Sequence, residues 1–163
     1  MNLISFDMEE LKSFDFSSSK EFLEANSVGC YSSSSVNFCN TRKYHGLLVP
    51  RQDRLGTDNY VLLSALDEVL KHEDKEVYLG THEYPGAVSP KGYEWLKHFE
   101  LKRIPTWVFG DSNFELKKEL LLVEGKNQLM IRYTLLKGKK ISLKLDPFTA
   151  YRRIHDLGKK REF

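Results

Sequence analysis

Residues 40 to 50 read NTRKYHGLLVP. Arg42, Lys43, Tyr44 and His45 stand directly before Gly46 and the apolar run Leu47, Leu48 and Val49. Arginine presents a planar donor fork and lysine a mobile ammonium. Tyrosine adds an amphipathic ring and histidine a group that titrates near neutral pH. The apolar run reads as the start of a buried strand, whereas the four residues before it are costly to bury without partners. Recognition is the chemistry such a set suits. The fork grips carboxylates or carbonyls, and the rings offer faces on which apolar C–H surfaces rest.

Further aromatics could serve the same end: Tyr31, Tyr84, Tyr93, Trp95 and Trp107. A sugar presents both hydroxyls and a C–H face, so arginine with tyrosine and tryptophan suits a glycan. Each ring taken alone is more often a core residue, since aromatics are commonly buried.

Catalytic machinery is harder to find. The chain holds no phosphate-cradling glycine loop, no H-E-x-x-H and no G-x-S-x-G. Its histidines, His45, His72, His82, His98 and His155, lack metal-ligand spacing, so no metal and no cofactor is implied. Asp67 and Glu68 could in principle supply two-carboxylate glycoside chemistry, but adjacent residues of a strand point to opposite faces. Cys30 and Cys39 have no C-x-x-C spacing and are expected to be free, small buried residues. The basic clusters at 137–140 and 158–161 read as solvated turns.

The bounds are those of one soluble domain. The 163 residues carry 25 basic and 23 acidic side chains for a net charge of +2, with 40% hydrophobic and 29% charged content. That balance offers no electrostatic reason for a nucleic-acid or membrane partner. No apolar run approaches the roughly 20 residues of a membrane span. The segment Met1–Asp7 turns acidic where a secretory signal would be apolar, so a cytoplasmic setting is expected.

The elements that must position these side chains are mostly strands. Ser18 and Glu21 form an S-x-x-E box before Phe22, Leu23 and Ala25, which predicts a short helix ending at Asn26 to Gly29. CYSSSSVNFCN, residues 30–40, reads as a strand-loop segment within the fold. Between 60 and 79, Leu62, Leu63, Leu66, Val69 and Leu70 match a helical stripe, with two strands joined at Glu73–Lys75 as the alternative. Beyond that, Phe99 and Leu101, then TWVF, then Phe114, Leu116 and Leu120 follow strand periodicity. Leu129, Ile131, Tyr133 and Leu135 continue it, then Ile141, Leu143 and Leu145 until Pro147 ends the run. Turns fall at Gly110–Asp111, Glu124–Asn127 and Lys137–Gly138. This is an antiparallel meander, hence a sandwich or barrel.

The stretch NSVGCYSSSSVNFCNTRKYHGLLV resembles the N-terminal domain of bacterial and archaeal glycogen-debranching enzymes (amylo-α-1,6-glucosidases). Asn26, Gly29, Tyr31 and Ser33 match the first part of that family's pattern. Asn40, Thr41, Arg42, Tyr44, His45, Gly46, Leu47, Leu48 and Val49 match the second. Leu62-Leu63-Ser64, Tyr84-Pro85-Gly86, Gly92-Tyr93, Trp107 and the segment from Leu145 through Tyr151 and Arg152 follow in order. Ser27, Cys30 and Cys39 depart from the pattern. So does Lys43, which keeps the charge of the family's second arginine but not its fork.

The resemblance implies a mainly β fold, an antiparallel β-sandwich (supersandwich-like) with one or two short helices, and strands rather than a helix at 60–79. It implies that residues 1–163 are a single non-catalytic domain of a longer enzyme that hydrolyses α-1,6 branch points of glycogen-like glucans. A helical toroid outside these residues would carry the catalytic carboxylates. The partners implied are that helical domain and an α-glucan; a stand-alone carbohydrate-binding or interaction module is the alternative. The residues implied for glucan binding or the domain interface are Tyr31, Arg42, Tyr44, His45, Tyr84, Tyr93 and Trp107. Arg42 would grip the seam with Tyr44 and His45 beside it and Lys43 turned away by strand alternation. Alternatively, Arg42 and His45 pair within the domain and brace the turn at Gly46.

Overall fold

The computed structural model describes residues 4–53, 58–72 and 75–157. In chain order these form β1 (Ile4–Asp7), helices α1 (Met8–Leu11) and α2 (Phe14–Ser19), β2 (Glu21–Ala25), β3 (Tyr31–Ser35), β4 (Gly46–Val49) and β5 (Arg51–Gln52). Next come β6 (Asp58–His72), β7 (Lys75–Tyr78), β8 (Thr81–Tyr84), β9 (Ala87–Lys91) and a 3-10 turn at Gly92–Trp95. The rest is β10 (Leu96–Leu101), β11 (Pro105–Gly110), β12 (Glu115–Leu122), β13 (Leu129–Lys137) and β14 (Ile141–Arg153).

One antiparallel sheet runs β1-β10-β11-β12-β13 and the other β14-β6-β4-β3-β2, with β5 and β7 also on β6. β8 and β9 form a separate hairpin. The two sheets close over one apolar core, a sandwich. Phe22 and Phe38 from the second sheet and its following loop meet Trp107, which also stacks near Phe99, with ring centroids 4.7 to 5.3 Å from the indole. Trp107 Nε1 donates to the Val36 carbonyl at 2.8 Å, so the buried indole leaves no polar atom unpaired.

Period-two alternation along β12 turns Leu116, Lys118, Leu120 and Leu122 inward. Lys118 therefore enters the core, where Nζ donates to Glu68 Oε1 at 2.5 Å and lies 3.6 Å from the Phe38 ring centroid. Tyr133 of β13 donates its hydroxyl to the same carboxylate oxygen. One carboxylate of β6 thus gathers two donors from the opposite sheet. Asp67, the neighbour of Glu68, turns to the other face and meets His82, so the two carboxylates do not form a pair.

Three local expectations meet the tertiary structure differently. Ser18 does not cap a helix at 18–25. The short helix lies earlier, α2, with Ser13 Oγ accepting from Phe16 N, and Glu21–Ala25 is strand β2. Phe22 turns into the core while Leu23 faces solvent, a period-two choice made by pairing with β3 rather than by the capping signal. At 60–79 the strands of the resemblance hold against the helical stripe. Residues 62–67 of β6 are all half-buried, on both faces of the strand, so alternation is blurred and apolar residues fall on either side. The turn at Glu73–Lys75 involves residues outside those described, as does the basic cluster 158–161. Pro147 does not end its strand: β14 passes through it opposite Leu66. β14 lies at the edge of its sheet, where a residue without an N–H is tolerated, and its register shifts just beyond, at Phe148 and Thr149.

Candidate functional site

The 36–45 connection between β3 and β4 is held by its own polar side chains. Asn37 Oδ1 accepts from Ser35 Oγ and from Cys39 N, and its Nδ2 donates to Ser17 Oγ at 3.0 Å. Asn40 donates to the Ser64 carbonyl at 2.9 Å and accepts from Ser34 Oγ at 3.0 Å. These bonds replace the ladder that the loop lacks. Cys30 and Cys39 are buried free thiols, and burial pushes both thiol pKa values up.

Arg42–His45 is then a turn, closed by His45 N donating to the Arg42 carbonyl at 3.0 Å. It is not strand, so the alternation expected to turn Lys43 away does not operate there. Gly46 follows because nothing larger fits. A Cβ would lie 2.7 Å from Val49 Cγ2 and 3.0 Å from Val61 Cγ1. Two outside groups grip the turn's carbonyls: Tyr31 Oη donates to Tyr44 O at 2.8 Å, and Arg152 Nη2 donates to Lys43 O at 2.7 Å. Arg152 Nη1 also donates to Asp156 O at 3.0 Å, tying the segment after β14 to the same place.

The side chains divide sharply. Arg42 is 65% exposed and donates through Nε to Glu21 Oε1. His45 is 2% exposed. Its Nε2 lies 3.4 Å from the same Glu21 oxygen, yet neither ring nitrogen has a hydrogen-bond partner among the described residues. Burial lowers the His45 pKa and Arg42 lowers it further, while the Glu21 carboxylate works against both. Tyr44 is exposed, with the Lys43 ammonium 5.2 Å from its ring centroid and the His155 ring edge-on at 5.8 Å. Burial raises the Tyr31 pKa, with the Arg152 charge opposing.

Tyr31, Arg42, Tyr44 and His45 are thus brought together, joined by Glu21, Arg152 and His155. Tyr84 and Tyr93 line a different groove, by the β8–β9 hairpin, with Phe14, Glu83 and Lys91. Trp107 is 0% exposed and serves the core, with no surface to offer a ligand or a domain. Glu21 carries no mark in the sequence beyond its place in an S-x-x-E string that reads as a helix cap. His155 was one of several scattered histidines, and no local pattern marks it. His82 and Asp67 form a further pair, Nε2 lying 2.8 and 2.9 Å from the carboxylate oxygens, and that bond raises the histidine pKa against the effect of burial. Among the described residues no three histidine, cysteine or acidic side chains cluster as metal ligands would.

The other conspicuous motif residues are braces. Asn26 Nδ2 donates to the carbonyls of Val123 and Lys126, both at 2.8 Å, and its Oδ1 accepts from Val28 N and Cys30 N. It pins the β2–β3 connection to the β12–β13 turn.

Two antiparallel sheets closed over one apolar core, with the Arg42–His45 turn braced just before β4, define a β-sandwich domain. The family model of the glycogen debranching enzyme N-terminal domain matches residues 20–163, and the chain belongs to that family. Searches of curated proteins and of solved structures gave no match. Among the described residues no helix is long and apolar enough to cross a membrane.

Proposed function

We propose that this chain is the non-catalytic N-terminal domain of a cytoplasmic debranching-type α-1,6-glucosidase. It packs against a helical catalytic domain of the same polypeptide and helps to wall the glucan cleft. The observation that carries the reading is the turn Arg42–His45. Its main chain is gripped by Tyr31 and Arg152, while Arg42 and Tyr44 are left outward, unused by the core. A fork and a ring presented on a rigid support are what a docking carboxylate or a sugar face requires. The in-domain pair Arg42–Glu21 does not consume that capacity. A solvated ion pair is worth only about 0–1 kcal/mol and exchanges readily for another partner.

The test is glucose release from an α-1,6-branched limit dextrin by the parent polypeptide and by the 163-residue chain alone. The parent is expected to turn over and the chain alone to be inert. Turnover by the chain, abolished by changing one carboxylate within it, would overturn the reading. In the parent, Arg42→Ala is expected to weaken activity or domain association.

A further inference from the structure

We propose that the side of the sandwich bounded by β13 and β14 is a docking surface for an acidic, extended segment with alternating apolar residues. The segment is supplied by the parent polypeptide and adds as a strand to β14; only its source rests on the function proposed above. β13 ends one sheet and β14 the other, and among the described residues neither has a strand partner along its outer edge. Each edge therefore presents unpaired main-chain donors and acceptors, in β14 along 13 residues. The apolar side chains there are uncovered on the side that faces the core. Leu135 stands opposite Leu116 and Leu145 opposite Glu68, and cross-strand partners share a face. Leu116 and Glu68 are 4% and 2% exposed, whereas Leu135 and Leu145 are 43% and 45% exposed. The sandwich is open along this side, and exposed apolar side chains rimmed by charge mark an interaction surface.

Charge selects the occupant. Residues 129–153 carry seven basic side chains and one acidic, Asp146, in a chain whose net charge is +2. Asp146 is already paired with Lys144, and Lys137, Lys139 and Lys140 form no ion pair among the described residues. Against a second copy these lysines would meet their own kind, and Pro147 removes a donor from the edge, so self-pairing is opposed. The same lysines favour an acidic strand. A nucleic acid would answer the charge but brings neither strand hydrogen bonds nor apolar side chains for Leu135 and Leu145. The parent polypeptide is the source because the chain is held beside this edge as it leaves β14: Arg152 ties the main chain of Asp156 back, and Arg153 Nε lies 3.2 Å from Asp58 Oδ2. A segment further along is thereby kept at high local concentration, and consecutive elements are usually neighbours in space.

The test is amide chemical-shift mapping of the 163-residue chain titrated with a capped peptide of alternating glutamate and valine, with the lysine–valine peptide as control. Weak binding, Kd on the order of 1 mM, is expected, because a free peptide loses its chain entropy on pairing. Shifts confined to residues 129–153 and absent with the basic peptide would support the surface. The double variant Lys139→Glu/Lys140→Glu alters exposed side chains only and is expected to weaken binding about three- to tenfold. No response to the acidic peptide, an equal response to the basic one, or tighter binding of an oligothymidylate at the same amides would each overturn the proposal. So would a dimer of the free chain in sedimentation, which would give the edge to a second copy. For the source, amides of β14 directed at the free edge are expected to exchange about tenfold or more slowly in the parent polypeptide than in the chain alone. Equal exchange in the two would remove the parent as the supplier. Inertness of the parent on limit dextrin is the separate failure of the function proposed above.

Discussion

Arg152 Nη2 donates to the carbonyl oxygen of Lys43 at 2.7 Å, across 109 residues of sequence. Two stretches singled out by the resemblance, one near each end of the chain, meet in this bond. Lys43 contributes its main chain here, and its departure from arginine costs this contact nothing.

The fork of Arg152 bridges two carbonyls, those of Lys43 and Asp156. Arg152→Lys retains the charge but reaches one carbonyl at a time. It is expected to cost about 0.5–1.5 kcal/mol in the 163-residue chain, and Arg152→Ala about the same, because half-buried Arg152 bonds neutral carbonyls and what is lost is hydrogen bonding rather than an ion pair. Urea melts check the magnitude. Faster amide exchange at Tyr44 and His45 checks the location.

At the turn itself, exposure decides the ranking. Arg42→Ala is expected to cost under about 1 kcal/mol, since Glu21 stays solvated without it. Gly46→Ala drives a methyl into Val49 and Val61 and is expected to cost about 1–3 kcal/mol. Denaturant midpoints of the two variants in the isolated chain give the comparison; equal costs would remove the argument from exposure.

Two histidines shift in opposite directions, which makes stability depend on pH from both sides. His45 is held below the ordinary 6.5, chiefly by burial. The unfolded chain therefore takes up its proton first, and the stability contributed by neutral His45 is present above 6.5 and falls away as the pH drops below it. His82 is held above 6.5 by its bond to Asp67. Its contribution is complete below 6.5 and is lost as the pH rises through the higher folded value. Denaturant melts from pH 5 to 9 are expected to show His45→Gln flattening the acid limb and His82→Gln flattening the other. Identical profiles for both variants would contradict the assignment.

Glu68 and Lys118 stand buried between the sheets, with burial and the Glu68 charge also raising the Tyr133 pKa. Removing one partner strands the other charge, so Lys118→Met is expected to cost about 3–5 kcal/mol. The double variant Lys118→Met/Glu68→Gln is expected to cost clearly less than the sum of the two single changes, because Tyr133 keeps an acceptor and no charge remains. Additive costs in thermal or chemical melts would show that the pair is not coupled.

Some of this was legible in the sequence, and particular residues show why. Leu129, Ile131 and Tyr133 are half-buried and alternate with exposed Met130 and Arg132, so local pattern alone specifies strand there, although Leu135 at the far end of β13 is itself exposed. The ordered string from Asn26 to Val49 was enough to indicate the family. Tertiary structure decided the rest. Glu21–Ala25 became strand because β3 was there to pair with it, and β6 lost its alternation because both its faces are partly covered along residues 62–67. Pro147 stayed in a strand because that strand is an edge. The division of Arg42 from His45, one outward and one buried on the same carboxylate, is invisible in four adjacent letters. It arises where a turn between two strands is seized by Tyr31 and Arg152, and burial of a side chain in a turn is set by what the rest of the chain brings over it.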